Sequence, residues 1–235
     1  MTTLLLVRHG LTEANQGGLL AGWTDGIHLS ERGREQATAL AERLETVPVA
    51  AIVSSPLERC QETATALVSG RDVAVETDER IGECRYGDWT GQELKKLVKE
   101  PLWRVVQAHP SAATFPGGES LRDTQARAID AIREHNTRLG AEATWVAVSH
   151  GDVIKAVLAD ALGMHLDMFQ RVQVDPCSLS VVRYTELRPF VVRMNDTGGG
   201  VDDLLPPKRR RRSRKQSSDA VVGGGAGAAD THKVG

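Results

Sequence analysis

Two histidines and two arginines follow short apolar segments of this sequence, at points where strands are expected to end. Arg8 and His9 come directly after the apolar residues 4–7, and His150 follows another such segment after one serine. Arg59 lies a few residues beyond a third apolar segment. A guanidinium group matches the oxygens of phosphate, and a neutral imidazole is a nucleophile near neutral pH. These residue types could together bind a dianion such as phosphate and act on it chemically.

The apolar segments predict strands that are buried on both faces, and amphipathic patterns between them predict helices. This alternation indicates an α/β fold, a three-layer sandwich with a mostly parallel central sheet flanked by helices. The carboxyl ends of parallel strands lie at one edge of a sheet, so the segments that follow them should converge there. We expect Ser30, Ser55 and Ser120 to cap helices. The predicted strands are 4–7, 50–53, 73–76, 144–148, 178–184 and 190–194, and the predicted helices are 31–44, 56–68, 92–108, 121–139 and 151–162.

Composition predicts one large domain, residues 1–195, followed by a low-complexity tail, residues 196–235. The chain has 235 residues, of which 40% are hydrophobic, enough for a body of this size to bury a core. The cysteines are three and widely spaced, which is typical of neither a disulfide framework nor a zinc site. The first apolar run has only four residues, too few for a signal peptide or a membrane span. We therefore expect a cytoplasmic protein.

The tail differs from the body in charge. The whole chain has a net charge of −2, but the residues from Asp196 onward carry eight Lys or Arg and five Asp. Seven positive charges fall within the eight residues 208–215. A segment of this composition is expected to be disordered and to bind polyanions in a salt-dependent way, or else simply to aid solubility. A different class of function stays open on this basis, a non-catalytic phosphate sensor or scaffold whose tail binds polyanions.

Several motifs, in order along residues 4–194, resemble those of the histidine phosphatase superfamily, also called the phosphoglycerate-mutase-like family. Each motif is weak alone, but the set is specific. The matching segments are Arg8-His9-Gly10 with Thr12-Glu13-Ala14-Asn15, residues 54–64, Gly82-Glu83 with Gly87-Asp88-Trp89-Thr90-Gly91, and Ser149-His150-Gly151.

The resemblance implies catalysis by His9. Its ring nitrogen would attack phosphorus and give a phosphohistidine, a reaction for which imidazole requires no metal or other cofactor. Arg8, Arg59 and His150 would hold the transferring oxygens.

The resemblance also implies a proton donor and substrate contacts. Glu83 would be the general acid and base, because the leaving alkoxide needs a proton and water must later lose one. Asp88 is the alternative acid. Asn15 would add a neutral hydrogen bond to the phosphoryl group, and Thr12 and the Gly22 backbone are further candidates for substrate contact.

Phosphatases and phosphoglycerate mutases of this family use the same catalytic residues. In the family that the sequence resembles, a mutase is expected to have a longer insert between the acid and the second histidine, with extra basic residues. Here His150 follows Glu83 by only 67 residues, and no adjacent pair of arginines occurs between them. We therefore expect a metal-independent phosphatase that hydrolyses a small phosphorylated substrate, with a cofactor-dependent mutase as the alternative. We also expect a homo-oligomer.

Overall fold

A six-stranded sheet forms the centre of the protein in the computed structural model, which describes residues 1–198, 220–221 and 225–226. The strands are β1 (Thr2–Arg8), β2 (Leu19–Leu20), β3 (Ala51–Ser54), β4 (Val75–Thr77), β5 (Gln92–Glu93), β6 (Thr144–Ser149), β7 (Leu179–Tyr184), β8 (Pro189–Asp196), β9 (Ala220–Val221) and β10 (Gly225–Ala226). The α-helices are α1 (Glu13–Gln16), α2 (Glu31–Leu44), α3 (Glu58–Val68), α4 (Leu94–Leu97), α5 (Pro101–Ala108), α6 (Leu121–Leu139) and α7 (Gly151–Ala161).

The strand order of the central sheet is β4-β3-β6-β1-β7-β8. The first four strands in this order are parallel, whereas β7 and β8 are antiparallel to their neighbours. This confirms the predicted α/β fold with a mostly parallel sheet.

Residues of β1 alternate between two apolar cores because successive side chains of a strand point to opposite faces. Leu4 and Leu6 pack in one core with residues of α6 and α7. Leu5 and Val7 pack in the other core with residues of α2 and α3. The uninterrupted apolar run is thus explained by helices on both faces of the sheet.

The parallel pairing brings three strand ends to one edge of the sheet. Arg8 is level with Ser149, and Ser54 is level with Val148. The backbone N–H of His9 donates to the Ser149 carbonyl over 3.0 Å, so strand pairing continues to the residue next to His150. The expected convergence of these segments is therefore present.

A third apolar core contains aromatic residues of the segment between β4 and α6, packed with residues of α7. Two backbone stretches meet closely there. A Cβ on Gly87, which has φ +53°, would lie 2.0 Å from the Pro116 carbonyl oxygen, and a Cβ on Gly118 would lie 2.0 Å from the Arg85 carbonyl oxygen. Only glycine permits this approach, which packs the segment after Glu83 tightly against residues 116–118.

The start of helix α3 differs from the prediction, and the difference concerns Ser55, a residue near the candidate site. Helix α3 begins at Glu58, its N-cap is Leu57, and no side chain caps it. The prediction that Ser55 is the N-cap of this helix is therefore wrong. Ser30 and Ser120 do cap α2 and α6, each accepting a hydrogen bond from the backbone three residues ahead.

The remaining differences are local. Residues 12–28, for which no helix or strand was predicted, contain α1 and β2, and the predicted helix 92–108 begins with β5 before α4 and α5. The basic run 208–215 lies outside the described residues, so the expected behaviour of the tail and the boundary at residue 195 stay predictions. Within the part of the chain that the structure describes, no helix has both the length and the apolarity to cross a membrane.

Candidate active site

His9 lies directly after β1 and is 2% exposed. Its Nδ1 is 2.8 Å from the Gly10 carbonyl oxygen. A carbonyl only accepts, so Nδ1 carries the proton and the lone pair is on Nε2. Burial lowers the pKa of His9 well below its ordinary value, and the charges of Arg59 and Arg8 lower it further. The ring is thus a neutral imidazole whose Nε2 can act as a nucleophile.

Arg59 is 2% exposed and points into the same region from α3. Its Nη2 donates to the Gly22 carbonyl over 2.8 Å and to Nδ1 of His150 over 3.2 Å. Its Nη1 is buried and has no hydrogen-bond partner among the described residues. Buried donors are normally satisfied, so this nitrogen is suited to an anion bound beside the two histidines.

Arg8 supplies the second guanidinium, 3% exposed at the end of β1. Its Nη1 donates to the Val174 carbonyl over 2.6 Å, which ties it to the segment before β7. Burial lowers its pKa, whereas Glu83 and Asp175 act in the opposite direction.

His150 is fully buried, and its ring centroid is 5.3 Å from that of His9. Because Nδ1 accepts from Arg59, the proton of a neutral ring is on Nε2, which donates to Ser55 Oγ over 2.8 Å. Burial lowers the pKa of His150 well below its ordinary value, and Arg59 and His9 contribute in the same direction. Ser55 thus orients a site histidine, a role that its place before a proline and a helix did not indicate.

Glu83 lies at the same centre and is 4% exposed. Its Oε1 accepts from the backbone N–H of Cys84 over 3.0 Å, and its Oε2 is 3.8 Å from Nδ1 of His150. Burial raises the pKa of Glu83 to about 7, and the negative charge of Asp152 adds to this effect. A carboxyl group with such a pKa can donate and accept a proton near neutral pH.

The Glu83 backbone is held by side chains from two other segments. Its carbonyl accepts from Trp23 Nε1 over 2.6 Å and from Arg127 Nη2 over 3.0 Å. Arg127 also bonds the Arg80 and Gly82 carbonyls and forms an ion pair with Glu119. These contacts fix the position of the carboxyl group, and the sequence offered no signal for either Trp23 or Arg127.

The three predicted substrate contacts, Thr12, Asn15 and Gly22, follow His9 closely in the sequence and make different contacts. Thr12 is the N-cap of α1, and Asn15 Oδ1 accepts from its backbone N–H and hydroxyl over 3.2 and 2.9 Å. Gly22 has φ +53° and presents its carbonyl to Arg59. The structure thus places Gly22 as a support of Arg59.

The structure brings Arg8, His9, Arg59, Glu83 and His150 together at the carboxyl edge of the sheet. It does not bring the alternative acid, Asp88, into this group, since Asp88 is exposed and its backbone N–H bonds to Pro116. Within residues 1–198 there is no group of three or more His, Cys, Asp or Glu side chains arranged to hold a metal ion.

Comparison with known proteins gives a family for this geometry. The model of the histidine phosphatase superfamily (branch 1) matches residues 4–197. Phosphoserine phosphatase 1 of Hydrogenobacter thermophilus is 34% identical over 84% of this chain and 93% of its own length. Glucosyl-3-phosphoglycerate phosphatase of Mycolicibacterium vanbaalenii is 36% identical over 70% of this chain and 76% of its own length.

A relative named for a different activity also matches, and so does a solved structure. A 2,3-bisphosphoglycerate-dependent phosphoglycerate mutase of Gloeobacter violaceus is 31% identical, over 75% of this chain and 83% of the mutase. The structure of Bacillus stearothermophilus YhfR superimposes with a TM-score of 0.79 at 31% identity, covering 83% of this chain and 98% of that chain. The family model spans residues 4–197, and the observed fold and the buried neutral His9 agree with it. The chain belongs to the histidine phosphatase superfamily.

Proposed function

We propose that this enzyme hydrolyses small phosphomonoesters through a phosphohistidine on His9. The observation that carries the proposal is the 2.8 Å distance between Nδ1 of His9 and the Gly10 carbonyl oxygen, from which the tautomer of the ring follows. The Gly10 carbonyl holds the proton on Nδ1, so the Nε2 lone pair is available, and the charges of Arg59 and Arg8 help to keep the ring neutral. A metal or other cofactor is not needed for such an attack, because the nucleophile is already deprotonated and the arginines balance the phosphoryl charge.

The reaction has two steps. In the first, His9 Nε2 forms a bond to phosphorus, the P–O bond to the alcohol breaks, and Glu83 gives its proton to the departing oxygen. In the second, water attacks the phosphohistidine, the Glu83 carboxylate takes a proton from it, and phosphate leaves. Glu83 and His9 thereby return to their starting forms. The raised pKa of Glu83, about 7, suits both roles.

Arg8, Arg59 and His150 are assigned to the phosphoryl oxygens. For Arg59 the buried Nη1 is the donor that this role requires. For His150 the role requires that the ring exchange its bond with Ser55 or Arg59 for one with the phosphoryl group. Asn15 is assigned a supporting contact through its amide N–H groups, since its Oδ1 already accepts from Thr12.

Arg59→Met is expected to lower kcat/KM by about 10²–10³-fold, since it removes one preorganised donor. The inhibition constant for inorganic phosphate should rise as well, because the same donor holds the free anion. Arg104→Met, which removes an exposed arginine of α5, is the matched control and should change neither value. Phosphate inhibition that is unchanged in Arg59→Met would contradict the assignment.

Hydrolysis and mutase activity are distinguished by one incubation. With 3-phosphoglycerate and a trace of 2,3-bisphosphoglycerate, we expect release of phosphate with negligible isomerisation. The reaction is monitored by ³¹P NMR. Rapid interconversion of the phosphoglycerates without phosphate release would show the mutase alternative to be right. Two relatives are named for phosphoserine and glucosyl-3-phosphoglycerate, so these esters are the first to include in a substrate screen.

A further inference from the structure

The peptide unit that joins Gly10 to Leu11 contacts the nucleophile through its carbonyl. The oxygen lies 2.8 Å from Nδ1 of His9, the contact that fixes the tautomer of the ring. The N–H of the same unit, which belongs to Leu11, donates to Oε1 of Gln36 over 3.1 Å. A trans peptide is planar, and its C=O and N–H point in opposite directions. The bond to Gln36 therefore restrains the direction in which the carbonyl meets His9.

Gly10 permits this peptide unit to rotate unless other groups hold it, because a residue without a Cβ has the most conformational freedom. A larger residue does not fit here. A Cβ on Gly10 would lie 2.6 Å from the carbonyl oxygen of Gly33, which belongs to the first turn of α2. The freedom of Gly10 thus follows from its close packing against α2, and hydrogen bonds provide the restraint that a side chain would otherwise give.

Two other side chains bond to the adjacent peptide units. Thr63, fully buried in α3, accepts from the Gly10 N–H over 3.1 Å, which belongs to the unit before. Ser30, the N-cap of α2, donates through its hydroxyl to the Leu11 carbonyl over 3.1 Å, which belongs to the unit after. Of these three side chains, Gln36 is the one that bonds to the unit between Gly10 and Leu11.

We propose that Gln36 is a positioning residue that directs the Gly10 carbonyl to Nδ1 of His9. Gln36 is half-buried in the second turn of α2. This inference rests on the proposed role of His9 as the nucleophile. While the carbonyl accepts from Nδ1, the proton of the neutral ring stays on that nitrogen and the lone pair stays on Nε2. Loss of the Gln36 oxygen frees the peptide unit to rotate, and the ring can then carry its proton on Nε2, where it blocks attack on phosphorus.

The test measures the tautomer of His9 by ¹⁵N NMR in the full-length protein, with the His9 resonances assigned by their loss in His9→Ala. In Gln36→Leu we expect the Nε2 resonance to move toward the position of a protonated nitrogen, because the Leu11 N–H has lost its acceptor. Gln36→Glu keeps an acceptor oxygen and should retain the tautomer of the unmodified protein. Glu35→Leu, at the exposed neighbouring position of α2, is the matched control and should leave the resonance unchanged.

Kinetics supply a second readout. In Gln36→Leu the rate of phosphoenzyme formation should fall by about 10-fold or more, since a small misplacement of a reacting group can cost about 10²-fold. The inhibition constant for inorganic phosphate should stay near its value in the unmodified enzyme, because Arg8 and Arg59 are unchanged. A loss confined to phosphoenzyme formation distinguishes positioning of the nucleophile from general damage to the fold.

The outcomes separate the inference from the proposed function. An Nε2 resonance that does not move in folded Gln36→Leu overturns the inference, and so does an equal movement in Glu35→Leu or Gln36→Glu. In an active enzyme, an unchanged rate of phosphoenzyme formation overturns it as well. If Gln36→Leu does not fold, Gln36→Met removes the same oxygen with an unbranched side chain and carries the same expectation. A tautomer that depends on Gln36 in a protein that forms no phosphoenzyme would overturn the proposed function and leave the inference about Gln36 standing.

Discussion

His9→Ala is expected to lower kcat for phosphomonoester hydrolysis by at least about 10⁴-fold, the scale of loss when a nucleophile is removed. In the proposed mechanism the ester bond breaks when the His9 ring attacks phosphorus, and alanine has no nitrogen to make that attack. Phosphate binding should survive, because Arg8 and Arg59 remain. The measurements are the steady-state rate and the trapping of an acid-labile phosphoenzyme with ³²P-labelled substrate.

His165→Ala is the control for this substitution. The His165 side chain is 64% exposed and pairs with Asp167, so its loss should change neither turnover nor phosphoenzyme formation. Thermal unfolding of both variants shows whether each retains the fold. An acid-labile phosphoenzyme that persisted in folded His9→Ala would rule out His9 as the nucleophile.

Glu83→Gln is expected to lower kcat by about 10²–10⁴-fold for alkyl phosphates, the range for a positioned general acid. A much smaller loss is expected in the first step for 4-nitrophenyl phosphate, because nitrophenolate departs without a proton. In the unmodified enzyme, turnover of an alkyl phosphate should fall as the pH rises above about 7, since Glu83 then loses the proton that it must donate. Burst and steady-state rates for both ester classes, measured as a function of pH, test this.

Asp88→Asn is the control for Glu83→Gln, since it removes the alternative acid from the same segment. We expect no loss of the alkaline limb in Asp88→Asn, and its disappearance in Glu83→Gln. The opposite result would assign the role of general acid to Asp88.

The unfolding temperature offers a second readout for Glu83→Gln. A carboxyl whose pKa is raised by folding is stabilising in its protonated form, and this stability is lost as the pH rises through the folded pKa. Removing the ionisable group should therefore stabilise the protein at pH 8 relative to pH 4, when each is compared with the unmodified enzyme.

Local sequence was sufficient to predict the scaffold and to place Arg8 and His9 at the carboxyl edge of the sheet. The apolar run before Arg8 and His9 can be buried only in a sheet covered on both faces, and parallel strands must end at one edge. The pairing of β1 with β6, which places His9 beside Ser149, agrees with that rule, although the rule does not specify which strands are neighbours. The resemblance to a known family then supplied the role of His9 as nucleophile. It also supplied Glu83, which position alone would not have separated from the other acids of its loop.

The roles of Ser55 and Gly22 could not be predicted in the same way. Ser55 precedes a proline and a helix, a pattern typical of an N-cap, yet its hydroxyl bonds to His150, 95 residues away. The substrate contact expected of the Gly22 backbone stays a prediction, and the contact that the sequence did not indicate is the hydrogen bond that its carbonyl accepts from Arg59. Both contacts join segments that are distant along the chain, and turn or helix propensities do not specify which distant side chain a polar group will meet.

The sequence by itself determined which residues reach the carboxyl edge of the sheet, because strand burial and parallel pairing are properties of short apolar segments. The tertiary structure alone decided their chemical state. The pKa of His9 is lowered because the ring is buried and feels the charges of Arg59 and Arg8, and the pKa of Glu83 is raised to about 7 by burial and by the negative charge of Asp152. Proton affinity depends on the solvent exclusion and the charges around a group in three dimensions, and these are set by packing among α3, α6, α7 and the Glu83 segment.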